Sequence, residues 1–305
     1  MQMYRLLKIS SFIIISFLLH QKDYRDYFEF VNEITIRSIK MPVIIHPGYF
    51  AIINDAIIIS YPNYGVFMLD TNGVIIKKLF DSSGPICVSE KDSSIYCWDV
   101  ISHHLVNVKI EGKFIKQRQW SVPFQYVWQM QGFKDYIYLS LFYFNEGIRD
   151  TLVPAFVKFD PKSNTWDEIL RVKLKPGEGV TGLFRVTSDG VIYFSFEDKI
   201  VKITPDGKIT DFVMIKKQPE YYVLSFNIIE SKNKIILEKS NRYRHKKVDI
   251  IDLKTAQIVA HDLKMPYSLI MGTYLDKVYI IVDEMVKTKL NQNCRIGVFK
   301  LKSGQ

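Results

Sequence analysis

"VTSDGVIYFSFEDKIVKITPDGKITDFVMI", residues 186–215, holds four short runs of β-branched and aromatic residues. They are joined by Ser188-Asp189-Gly190, by Glu197-Asp198 and by Pro205-Asp206-Gly207. The runs are short and bounded by turn residues, as strands are, and almost nothing keeps helical spacing. Gly190 and Gly207 sit where tight turns require positive φ, which a residue without Cβ adopts freely. The stretch therefore reads as one antiparallel meander of four strands.

The same unit recurs along the chain. It is found from Ala51 ("AIINDAIIISYPNYGVFMLDTNGVIIKKLF"), from Ile86 ("ICVSEKDSSIYCWDVISHHLVNVKIEGKFIKQ") and from Val127 and Ala155, then from Leu224 and Lys246, and last from Leu269 with "CRIGVFKLK". A self-similar period of roughly 40 to 50 residues marks a propeller or an array. Pro47, Pro85, Pro123, Pro176, Pro219 and Pro266 precede the six units at spacings of 38 to 53 residues. Proline suits such connectors because it cannot donate to a ladder and stops a strand.

The last unit has only three strands, so a partner must come from elsewhere. "EITIRSIK", Glu33 to Lys40, alternates correctly and precedes the first connector. Pairing it with the last unit would close a ring and remove the exposed edges of an open sheet. The expected fold is thus all-β: a six-bladed β-propeller of four-stranded antiparallel blades over 33–305, the last blade closed by an N-terminal strand at about 33–40.

Composition agrees: 305 residues, 48% hydrophobic and 24% charged, exclude a disordered chain and a disulfide miniprotein. Lysine and arginine exceed the acids by nine, a balance that suits either an anionic partner or solubility. Cys87, Cys97 and Cys294 show no zinc spacing; Cys87 and Cys97 fall on expected hairpin neighbours, where a single disulfide is conceivable. Residues 1–20 place Arg5 and Lys8 before an apolar run, Ile9 to Leu19, too short to span a bilayer. That is the layout of a secretory signal, with 21–32 as linker, and it points to export.

These phrases carry a resemblance. "GVFMLDTNGVIIKKLFDSSGP" and "VTSDGVIYFSFEDKIVKITPDG" look like blades of NHL-type and TolB-like six-bladed propellers, and nearly the whole chain is similar to bacterial envelope propeller lipoproteins. It departs from them at His20, where the lipid-accepting cysteine would stand, and at "SSGP" in place of a richer glycine turn. "FVKFDPKSNTWDEIL" is similar to a kelch blade, yet the chain has no Gly-Gly pair. The resemblance implies a scaffold in the periplasm or cell envelope and transfers no catalytic residue.

In such a blade the second-to-third loops and the connectors share one face, called the top here. Function concentrates on loops held by a rigid scaffold, and converging blades make the concavity a ligand needs. The candidate binding residues are His103, His104, Trp128, Arg149, Glu197, Tyr222, Arg242, Arg244 and His245. From Ser231 to Ile250 there are seven Lys and Arg against Glu238 and Asp249, with Tyr243 and His245 among them. Such a segment could hold a polyanion; export argues against nucleic acid and for an anionic envelope polymer or lipid headgroup.

No G-x-S-x-G, H-E-x-x-H, Walker, G-x-G-x-x-G or EF-hand motif occurs. The sequence favours a non-catalytic binding or assembly propeller of the envelope, without cofactor and in contact with a membrane only through its N-terminal segment. Its partner would be an envelope protein or an anionic envelope polymer. The alternative is a calcium-assisted hydrolase or lactonase using Glu178, Glu197, Asp198 and Glu220 around the channel.

Overall fold

Short alternating runs closed by tight turns form six antiparallel sheets of four strands each in the computed structural model. It describes residues 23–36, 50–53, 55–61, 64–89, 91, 93–111, 114–124, 126–144, 151–176, 179–180, 182–196, 198–215, 218, 220–241, 243, 245–265, 269–281 and 294–302. A capped helical turn, α1 (Tyr24–Tyr27), leads into β1 (Phe28–Ile36). Blade 1 is β2 (Phe50–Ile53), β3 (Ala56–Tyr61), β4 (Gly65–Leu69) and β5 (Ile75–Phe80); blade 2 is β6 (Ile86–Ser89), β7 (Ser94–Asp99), β8 (His104–Glu111) and β9 (Phe114–Ser121). Blade 3 is β10 (Val127–Phe133), β11 (Tyr136–Leu141), β13 (Thr151–Asp160) and β14 (Thr165–Leu174), with β12 (Tyr143–Phe144) and β15 (Gly179–Val180) pairing as a separate ribbon. Blade 4 is β16 (Phe184–Val186), β17 (Ile192–Ser195), β18 (Lys199–Ile203) and β19 (Ile209–Met214); blade 5 is β20 (Tyr221–Ile229), β21 (Lys234–Asn241), β22 (Lys246–Asp252) and β23 (Ile258–Lys264). Blade 6 takes β24 (Leu269–Tyr274), β25 (Lys277–Ile281), β26 (Cys294–Leu301) and β1.

The ring closes as expected: β1 runs antiparallel to β26 from Phe28 opposite Leu301 to Ile36 opposite Cys294. The described strand starts five residues before Glu33, because the capping box of Asp23 and Asp26 turns the chain directly into it. Residues 37–40 of the expected strand lie outside the described residues, as do residues 1–22 with the signal. No helix among the described residues is long and apolar enough to cross a membrane.

Why a ring and not a flat array follows from where the apolar atoms go. Six buried clusters exist among the described residues, one at each blade junction, including the junction of blades 6 and 1 around Ile36, Ile59 and Ile296. Middle strands such as β3 are buried on both faces, so a blade stripped of either neighbour exposes a core face. The turns obey the sequence: Gly190 and Gly207 have φ of 84° and 85°. Cys87 and Cys97 remain free thiols; Cys87 faces blade 3 and Cys97 faces blade 1 from adjacent strands, which rules out the conceivable disulfide.

At the inner rim the ladders stop, and side chains join one blade to the next. Gln129 Oε1 accepts from Phe184 N at 3.0 Å, and Gln131 exchanges two hydrogen bonds with the Val186 backbone at 2.7 and 2.8 Å. Thr273 donates to Ile228 O at 3.0 Å, and Glu238 Oε2 accepts from Ile270 N at 2.9 Å. Between blades 2 and 3 the backbones come so close that a Cβ on Gly132 would lie 2.1 Å from Val88 O.

Candidate functional site

The innermost strand of each blade starts at the top, so Tyr64, residues 100–103, Tyr243 and His245, which lie between second and third strands, stand on this face. Arg149, Glu197, Arg242 and Arg244, with Glu178, fall outside the described residues. His103 and His104 do not act as a pair. His103 occupies the left-handed region at φ 56° and lies against the Trp98 ring, while His104 opens β8 with Nδ1 2.7 Å from Ser102 O. Asp99 organises this turn by accepting from Ile101 N and from Ser102 N and Oγ. Trp128 lies on the innermost strand β10, near Phe142 and against the cluster that holds Leu183 and Tyr193. His245 is exposed; its amide and that of Tyr243 donate to Asn241 Oδ1 at 2.9 and 3.0 Å, which shapes the blade 5 loop.

Much of the basic segment is neutralised inside blade 5. Lys239 Nζ reaches Asp249 Oδ2 at 2.7 Å and Asp262 Oδ1 at 2.8 Å, while Lys247 reaches Asp262 Oδ2 at 3.1 Å. Lys234 pairs with Asp252 at 2.7 Å, and Lys246 lies 3.8 Å from Glu238. Asp252 and Asp262 come later in the chain, and only the strand register brings them here. Burial works against the Asp262 carboxylate, but hydrogen bonds from Lys239, Gln218 and Lys247 outweigh it and hold its pKa well below the usual range. Glu238, buried behind the blade 6 backbone, goes the other way: desolvation pushes it up to about 7 against an attractive Lys246.

Asp249, His261 and Asp262 are the one group among the described residues whose ligand atoms lie within 4.8 Å of one another. The Lys239 ammonium sits between the two carboxylates, where a metal ion would otherwise bind. His261 Nδ1 lies 2.9 Å from Asp249 Oδ1. The group is therefore built as a charge network in which lysine supplies the cation. Of the other carboxylates expected around the channel, Asp198 and Glu220 are exposed.

Four exposed tyrosines share the top face: Tyr64 (42% exposed), Tyr126 (54%), Tyr222 (54%) and Tyr243 (59%). Tyr64 and Tyr243 stand in second-to-third loops, whereas Tyr126 and Tyr222 mark the start of innermost strands. Among the described residues, no other tyrosine is as exposed. The sequence places Tyr64 in a top-face loop and draws notice to Tyr222 and Tyr243, whereas Tyr126 escapes it because its position just before an innermost strand carries no motif.

No family model and no curated protein matches this chain. Solved structures do. A Bacteroides fragilis protein inferred to be exported aligns with a TM-score of 0.63 over 93% of this chain and 98% of its own, at 9% identity. The PQQ-bound aldose sugar dehydrogenase of Streptomyces coelicolor gives 0.57 over 90% and 98%, at 12% identity. The extracellular domain of a one-component system from B. thetaiotaomicron gives 0.51 over 82% of this chain and 32% of that one, at 11% identity. At such identities the likeness shows the fold alone.

Proposed function

We propose that this chain is an exported, non-catalytic propeller of the bacterial cell envelope that binds a protein or an anionic envelope polymer on its top face. The observation that carries this reading is the placement of Tyr64, Tyr126, Tyr222 and Tyr243 on one face. Tyrosine offers large contact area with a polar tip at low conformational cost, and it is enriched where proteins meet partners. Export rests on the residue 1–20 signal pattern, and the exported and extracellular fold neighbours support it. The NHL and TolB-like subtype and a location in the periplasm belong to the same proposal.

The test replaces Tyr64, Tyr126, Tyr222 and Tyr243 by serine together and measures binding to the envelope fraction of the source organism. The variant is expected to melt as the parent does and to lose at least tenfold in affinity. Unchanged binding by a folded variant contradicts the reading.

A further inference from the structure

At the inner rim, between blades 4 and 5, stands a cation with no carboxylate partner among the described residues. Arg185 lies in the middle of β16, the innermost strand of blade 4, inside the otherwise apolar run "LFRV". Its Nη1 donates to Phe184 O at 2.9 Å, and its Nη2 donates to Asn227 Oδ1 at 2.5 Å on β20 of blade 5. These two acceptors fix the guanidinium plane across the inner rim. Lys234, Lys239, Lys246 and Lys247 of blade 5 each meet a carboxylate; Arg185 meets two neutral oxygens, and no Asp or Glu among the described residues pairs with it.

The donor balance points the same way. A guanidinium carries five N–H donors and accepts nothing, and only two of its bonds are made here. Asn227 adds to the excess: its Oδ1 is taken by Arg185, and its wholly buried Nδ2 has no acceptor among the described residues. Burial lowers the Arg185 pKa to about 10, so the group stays charged at neutral pH. An unpaired charge in a low-dielectric site is costly, and an anion removes that cost. Arg185 itself is only partly buried, so part of the side chain meets solvent.

We propose that Arg185 is an oxyanion-binding residue of the inner rim, preoriented by Phe184 O and Asn227, and that it takes the carboxylate or phosphate group of a small ligand. A planar fork with one edge already held is suited to bidentate capture of such groups. This site stands apart from the top-face tyrosines, so either proposal can fail without the other.

The experiment titrates the folded protein with acetate, with inorganic phosphate and with chloride as the reference, reading heat and melting temperature. Saturable binding of acetate or phosphate above chloride is expected, and which of the two is preferred names the group. Arg185→Gln is expected to weaken that binding about tenfold or more. Arg185→Lys, which keeps the charge and loses the fork, covers the case in which the glutamine variant does not fold; it should also lose most of the affinity. Asn227→Asp places a carboxylate on the guanidinium from within, so it should raise the melting temperature and abolish oxyanion binding. Absence of any effect beyond that of chloride, or equal binding by folded Arg185 or Asn227 variants, overturns the proposal.

Discussion

Glu238 and Lys239 are neighbours on β21 that point to opposite sides of one blade, and each is expected to respond differently to change. Lys239 and Asp249 are both buried, so Lys239→Met leaves Asp249 short of its ammonium. A loss of about 3–5 kcal/mol is expected on that ground, read by urea unfolding; a loss below 1 kcal/mol would mean that His261 or Lys247 takes over the charge. Glu238 has a folded pKa near 7 against an ordinary 4.5. A carboxyl raised by folding stabilises fully below its unfolded pKa, and that contribution is lost as pH rises through the folded value. The parent should therefore lose melting temperature between about pH 4.5 and pH 7, whereas Glu238→Gln, which keeps an oxygen for Ile270 N, should lose less; parallel profiles would refute this. Neither role was legible in the sequence, where both residues belong to one basic run. The alternation of a strand shows that they face apart, but only register shows that Asp249 and Asp262 await one and Ile270 the other.

At the scale of elements, the turns and strands were readable and the junctions were not. Gly190 and Gly207 announced their turns, and the third strand of blade 6 was expected at the residues where β26 lies. The β12–β15 ribbon escaped notice because two-residue strands show no period. Gly132 also gave no signal, since its need for a bare Cα comes from Val88 O on another blade and not from its own φ. Gly132→Ala is expected to destabilise by about 1–3 kcal/mol, as overpacking against backbone does. A denaturation midpoint equal to that of the parent would show that blades 2 and 3 can slide apart. The inner-rim glutamines present the same lesson. Gln129 and Gln131 alternate correctly for one face of β10, but nothing in their spacing names Phe184 and Val186 as partners.

The whole molecule is a ring whose closure couples residue 28 to residue 301, and this long-range pairing seals both an edge and a core cluster. A chain truncated to begin at residue 37 should leave β26 unpaired and Ile59 and Ile296 partly bare. Light scattering is expected to show association of that truncated protein at concentrations where the parent is monodisperse, because unpaired edges recruit one another; a monodisperse, fully folded product would contradict closure by β1. Proline periodicity and repeated turns revealed this architecture in the sequence. The proposed binding face was legible only in part, since loop placement follows from the blade pattern while exposure does not. Four exposed tyrosines reach the top from blades 1, 3 and 5. The decisive measurement of that reading is site-specific photo-crosslinking in intact cells, with the photoreactive residue at Tyr126 or Tyr222 on top and at Ile209 or Leu275 on the bottom. Adducts from the two top positions and none from the two bottom positions are predicted; adducts confined to the bottom, or none from the top, would contradict a top-face binding propeller.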